Sequence, residues 1–213
     1  TTATIGDGKK TTLSFQFGTI SGGKLEDGKY VDTTVPPALS DRSFDQDPLQ
    51  TGGSVIIDSS NNSLQGIRDA INKANLGVTA TIVSDGTGTP HHLVMTSNGT
   101  GATSTMRITV ERDPLDDPDP ALADLLAYDP AGTQSLKQST AAQDTALTVN
   151  GIPVTARNRS VSEAIQGVSM SISKIGSPQN TSAMPNGTAR RCPPSAMDPI
   201  APSRPPTPMA AVI

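Results

Sequence analysis

Apolar and polar residues alternate over Thr11–Gly18, placing Leu13, Phe15 and Phe17 on one face and Thr12, Ser14 and Gln16 on the other. A two-residue period of this kind predicts a half-buried strand. Gly23–Val31 carries Asp27-Gly28 at its middle and predicts a hairpin. Residues 33–53, with Pro36, Pro37, Pro48 and several charges, predict an exposed loop, and Ser54–Asp58 a short strand. The period then changes. Between Ser63 and Asn75, Leu64, Ile67 and Ile71 recur at helical spacing, flanked by Ala70 and Ala74. Asn62 or Ser63 can cap the start of this helix, and Asn75 or Gly77 can end it in a left-handed conformation. Val78–Val83 alternates again, with Val78, Ala80 and Ile82 facing inward, and Ser84–Gly88 turns the chain. His92–Thr96 and Met106–Val110 supply two further strands. The unit reads β-α-β-β-β, without the glycine phosphate loop of a nucleotide-binding crossover.

Asp113–Pro120 interrupts this pattern and leads into a short helix over Ala121–Tyr128, with Leu122, Leu125 and Leu126 apolar. A polar connector is expected over residues 129–145. A second module opens with Ala146–Thr155, where Asn150-Gly151 between alternating apolar residues is a strong hairpin signal. Ser160–Gly167 predicts a brief helix, with Ser160 and Glu163 at capping-box spacing, and Val168–Ile172 a closing strand. The order helix, Gly-Val, alternating strand occurs at both Ala70–Ile82 and Ala164–Ile172, as a reused motif rather than a solenoid repeat. The predicted fold class is α+β and strand-dominated: small modules of antiparallel strands, each with a short helix, and a disordered C-terminal tail. The expected divisions are 1–112 (a strand-rich module), 113–145 (acidic loop, short helix and connector), 146–177 (a hairpin, helix and strand module) and 178–213 (tail).

Composition sharpens this picture at the tail. Of 18 Pro in the 213-residue chain, nine lie in 178–213, with Arg190, Arg191 and Arg204 against Asp198 alone, so the tail carries +2 and the remainder −6 of the net −4. So Pro-rich and apolar-poor a segment buries too little surface to offset its ordering entropy, and disorder is expected. The chain starts at Thr1 without Met or a signal segment, and reads as a fragment or a processed chain. The tail has the composition of a GC-rich gene translated in the wrong frame, so a frame shift near residues 176–180 and a natural disordered tail are the two accounts of it. Elsewhere, 26 Thr and 22 Ser against three Phe, two Tyr and no Trp mean a core of Val, Ile, Leu and Ala. The acidic balance and the scarcity of aromatics argue against nucleic acid, and no stretch approaches the ~18 apolar residues of a membrane helix.

Candidate chemistry is sparse. His91 and His92 are adjacent on a strand and point to opposite faces, so they cannot share one metal. Cys192, the only cysteine, lies in the tail and excludes an internal disulfide. No Gly-x-Ser-x-Gly elbow is present. Asp113, Asp116, Asp117 and Asp119 lack the glycine and the distal Glu of a calcium loop, and read as a solvated structural run ahead of a helix. Gly99-Thr-Gly101 reads as a turn. Asn61, Asn98, Asn158, Asn180 and Asn186 fit Asn-x-Ser/Thr, matches that chance supplies in so Ser/Thr-rich a chain. No catalytic, cofactor-binding or metal residue is assigned, and no enzymatic activity is expected.

Ser63–Gly86 closely resembles the motif shared by bacterial flagellins and the flagellar filament-cap family, hook-associated protein 2. His92–Gly101, Leu122–Pro130, Ala142–Gly151 and Asn158–Val168 are similar to successive elements of the cap family, in order, so the resemblance covers roughly residues 1–177. It implies a secreted structural protein at the filament tip, with flagellin as partner and a ring-like, commonly pentameric, homo-oligomer. The family's coiled-coil legs have no counterpart here, since no long heptad run occurs, and the chain is expected to represent the head region. Scarce cysteine suits export through a channel. The alternative is an adhesion module in which loops 33–53 and 84–105 bind a host glycan or mucin.

Overall fold

The computed structural model describes residues 1–33, 40–88, 90–112, 119–172 and 210–212. The first element is β1 (Thr11–Ser21), the long central strand, followed by the hairpin β2 (Lys24–Glu26) and β3 (Lys29–Val31). Asp27 and Gly28 both have positive φ (48° and 83°), the left-handed pair that lets a two-residue turn follow the twist of its strands. Next come β4 (Ser43–Gln46), β5 (Gly53–Ile57) and helix α1 (Leu64–Ala74). They are followed by β6 (Val78–Ser84), β7 (His91–Ser97), β8 (Thr105–Glu111) and helix α2 (Pro120–Leu126). The remaining strands are β9 (Lys137–Thr140), β10 (Thr145–Val149), β11 (Ile152–Ala156), β12 (Ser160–Ile165), β13 (Val168–Ser171) and β14 (Ala210–Val212).

One edge of β1 pairs with β5 through its first half and with β4 through its last four residues, and the other edge pairs with β8; every pairing is antiparallel. A second sheet runs β6-β7-β14-β9. The two sheets and both helices share one core. Leu13, Phe15 and Phe17 of β1, Ile67 and Ile71 of α1, Leu93 and Met95 of β7 and Leu122 and Leu126 of α2 all belong to it. The alternation of β1 is therefore real, and its inward face is the one expected. Burying these three β1 side chains at about 1.5–3 kcal/mol each supplies the main driving force on that strand.

Four expectations change. The loop expected over 33–53 contains β4, whose four residues complete the edge of β1 beyond the reach of β5. Phe44 there lies under the Arg107 guanidinium, 4.6 Å from carbon to ring centroid, so a lone aromatic among charges finds a cation as its cover. The connector expected over 129–145 contains β9, with Leu136 and Gln138 buried. Ser160–Gly167 is not a helix but strand β12 and a turn. Ser160, Val161 and Ile165 pair with Ser171, Met170 and Val168, through a bulge between Val161 and Ile165. Two β-branched residues and a glycine at φ 79° favour a hairpin over a helix too short to nucleate alone. The second module thus holds two hairpins and no helix. Finally, the tail expected to be disordered ends in β14, antiparallel to both β7 and β9. Met209–Ile213 is uncharged and free of proline, unlike the tail's average, and residues 173–209 lie outside the described part.

Candidate functional site

Helix α1 is capped at both ends and tied to strand β6 by one of its side chains. The Ser63 hydroxyl accepts from the Gly66 backbone N–H (3.1 Å), capping the helix start. Asn75 ends the helix at φ 51°, ψ 49°, the left-handed stop that asparagine tolerates. The Asn72 amide then pairs with the backbone of Ala80 in both directions, accepting from its N–H and donating to its carbonyl, each at 2.8 Å. A side chain imitating a strand in this way fixes the helix along the sheet as well as against it. Gly66 is required by space: a Cβ there would lie 2.3 Å from the Asn61 carbonyl oxygen.

At the C-terminal end of this motif an open cleft of about 370 Å³ is lined by Phe17, Gln50, Thr51, Asn75, Gly77, Ser97 and Gly99. Its polar groups are neutral, and several are already engaged: Gln50 donates to Thr103 and the Ser97 hydroxyl accepts from Gly99 N–H (3.1 Å). A second, mostly apolar cleft lies between Thr1–Ile5, Leu64, His91, Ala121 and Leu125.

The charged residues act as internal clasps. Arg42 bonds the Asp32 carboxylate (3.0 Å) and donates to the carbonyls of Tyr30 (2.9 Å) and Pro130 (3.2 Å), tying the β2–β3 hairpin to the chain after α2. Hydrogen bonds from Arg42 and Ser40 hold the Asp32 carboxyl far below the usual carboxylate range. Arg112 sits between Asp7 (2.6 Å) and Asp119 (3.1 Å), and Asp119 in turn caps α2 by accepting from Ala121 and Leu122. The Asp7 carboxyl is lowered by the Lys9 backbone N–H and by Arg112. Asp119 is 2% exposed, so the solvated role expected for the acidic run does not hold at this residue: a cap and an ion pair use its charge inside the fold. Asp113, Asp116 and Asp117 lie outside the described residues, as does Cys192.

The histidines are apart in chemistry as in direction. His91 is exposed along the apolar cleft, while the His92 ring lies 2.9 Å from Asp85. Gly99 and Gly101 flank the bend before a 3-10 turn at Ala102–Ser104. Asn61 and Asn98 have their side chains engaged: Asn61 accepts from Asp58 N–H (2.8 Å) and Asn98 accepts from the Thr79 hydroxyl (2.7 Å). Among the described residues no group of three or more His, Cys, Asp or Glu could hold a metal ion, and no helix is long and apolar enough to cross a membrane. Sequence reasoning missed Arg42, Arg112, Asn72 and the Tyr128–Gln138 hydrogen bond (2.7 Å). Only Asn72 left a signal, as an amide directly beside the buried Ile71.

The helix, its strands and the polar cleft coincide with a known unit. Residues 50–99 match the family described as the flagellin hook IN motif. The chain is also 35% identical over 139 residues to flagellar hook-associated protein 2 of Escherichia coli (strain K12), a match covering 62% of this chain and 27% of that protein. It is related to the flagellar cap proteins. The B-type hook-associated protein 2 of Pseudomonas aeruginosa is 36% identical over 129 residues, covering 57% of this chain and 26% of the relative. The fold agrees with the crystal structure of the D2-D3 domains of the E. coli cap protein FliD, at a TM-score of 0.56 and 22% identity over 100% of this chain and 92% of that one. The chain thus spans about a quarter of the length of the curated relatives it matches. The glycan-binding alternative draws no support from these cap relatives.

Proposed function

We propose that this chain is the head part of a flagellar cap, a structural assembly factor that works on flagellin rather than an enzyme. The 139-residue match at 35% identity to hook-associated protein 2 carries this reading. The chemistry of the fold is consistent with it. Arg42 and Arg112 are paired with carboxylates and, for Arg42, backbone carbonyls in clasps that stiffen the scaffold, instead of converging on a cleft. In this reading the head belongs to a longer protein that self-associates into a ring at the distal filament tip, outside the cell, where exported flagellin folds and inserts. A chimera tests it: residues 1–172 replace the matched region of E. coli hook-associated protein 2 in a strain lacking its cap. Recovery of filaments and swimming is the expected result. Export of a stable chimera with no filament growth overturns the reading.

A further inference from the structure

The second sheet has an unusual gap. β7 pairs with β6 over seven residue positions, from Val78↔Ser97 to Ser84↔His91, yet its other edge meets only the three residues of β14. β9 is held independently: the Gln138 side chain accepts from the buried Tyr128 hydroxyl (2.7 Å), and its backbone N–H donates to Gly28 (2.7 Å). β14 is antiparallel to both neighbours, so β7 and β9 run parallel to each other one strand apart. Two strand spacings apart, roughly 9.5 Å, they do not bond each other, and their facing N–H and C=O groups are satisfied by the antiparallel segment laid between them. Ala211 stands opposite both Met95, which is fully buried, and Gln138, which is 2% exposed. The lips of the slot are therefore built by residues 78–140, and the occupant arrives from the far end of the chain.

We propose that this slot is a strand acceptor whose occupant exchanges between molecules, so that it takes β14 of a second copy of this chain. Three observations favour that partner. The slot already fits this strand, and a second copy presents the identical strand, so swapped and unswapped forms make the same ladder. The ladder is short, three residues against each lip. The 37 positions of 173–209 separate β14 from Ile172, a contour of roughly 120 Å at full extension. A body of this size has a radius of gyration of only about 16–17 Å. Chain length therefore does not confine the strand to its own slot, and concentration decides between the two arrangements. The mode is strand addition to a sheet edge, in which main-chain hydrogen bonds supply the affinity.

The test uses full-length chains with Cys192→Ser throughout. One tagged chain carries Thr96→Cys, and a second, differently tagged, carries Ala210→Cys; these positions are direct register partners, at a spacing a disulfide can span. When the two are mixed and oxidised, a disulfide between the chains is expected. Its yield should rise roughly in proportion to protein concentration and vanish when Ala211→Pro is added to the second chain. Thr140→Cys, the partner of Ala210 on β9, repeats the measurement from the other lip and guards against a misfolded Thr96 variant. A bond that closes only within a chain carrying both cysteines, at every concentration, overturns exchange. No bond from either lip, within or between chains, overturns the slot itself.

Discussion

The region through β9 and the pair of hairpins that follows it use the same local rules and reach different ends. Both have alternating strands, and both have a two-residue turn with positive φ: Asp27-Gly28 in one, Asn150-Gly151 in the other. Of the 19 buried hydrophobic residues among those described, 18 lie at or before Leu136, and Val161 alone lies in the two hairpins. Ile152, Ile165 and Val168 are exposed there at 66%, 39% and 43%. A hairpin ladder specifies shape, but a two-stranded ribbon without a covering layer is marginal in water. The first region gains that layer from α1, α2 and a second sheet. The hairpins are moored by a few polar contacts instead, with Asp144 accepting from Ala102 N–H (2.8 Å) and Arg157 reaching Asp47 (3.4 Å). Folding energy is therefore concentrated in one of two regions that look alike by periodicity.

The sharpest way to break this contrast is to place one charge in each region. Ile71→Asp buries a carboxylate at a fully enclosed position of α1 and is expected to cost roughly 4 kcal/mol or more. Ile152→Asp, at a position 66% exposed, should stay within about 0.5 kcal/mol of the parent. Urea unfolding of the full chain, followed by far-UV circular dichroism, measures both. If Ile71→Asp unfolds at the parent's midpoint, α1 is not packed as described.

A similar pairing of arginines comes next in size. Arg112→Met leaves Asp119, 2% exposed, without its cation, and removing one member of a buried pair costs about 3 kcal/mol. Arg157→Met breaks a contact whose arginine is 58% exposed, where less than about 1 kcal/mol is expected. Equal losses from the two substitutions would mean that the hairpins are held as firmly as the core.

Much of the first region was legible because its signals are local. α1 runs over Leu64–Ala74 with Ser63 and Asn75 as its caps, and Ile67 and Ile71 are its buried face, because spacing and capping chemistry lie within a dozen residues. β1, β6, β7, β8 and both two-residue turns were equally readable. The elements that were missed depend on partners far along the chain. β4 exists because β1 outruns β5, β9 because Gln138 accepts from the buried Tyr128 hydroxyl, and β14 because a slot awaits it some 70 residues before the strand. Ser160–Ile165 misled because its capping-box spacing was local and its hairpin partner, Val168–Ser171, outweighed it. Of the candidate site, the helix–strand motif was visible, whereas the Arg42 and Arg112 clasps were not: their partners lie 7 to 105 residues away.

Hydrogen exchange sharpens the comparison at lower energies. Backbone amides of β10–β13 should exchange through local openings, well before Leu13 and Phe15 of β1, whose exchange should follow global unfolding. Asn72→Ala tests the corresponding link inside the first region. It removes two hydrogen bonds to Ala80 and is expected to cost about 1–2 kcal/mol, moving the exchange of β6 amides without touching those of β10–β13. Uniform protection across both regions would contradict the division.

The smallest effect comes from a surface carboxylate of the first region and shows how little such groups add where a core exists. Asp85 accepts from the backbone N–H (2.9 Å) and hydroxyl (2.8 Å) of Thr87 and lies beside His92, and these contacts lower its pKa from 3.8 to about 2. A depressed carboxyl pKa stabilises the fold in full above the unfolded value near 3.8 and loses that contribution as pH falls through about 2. The side chain is 41% exposed, so solvent screening keeps the contribution small. Thr87→Ala removes the hydroxyl and leaves the backbone donor. The Asp85 titration, followed by carboxyl-carbon NMR shifts, should then move upward toward 3.8, while melting at neutral pH stays close to the parent's. A parent midpoint already near 3.8 would show that the Thr87 turn does not hold the carboxylate. A large fall in melting temperature would show that this turn, and not the buried face of β6 and β7, secures the hairpin.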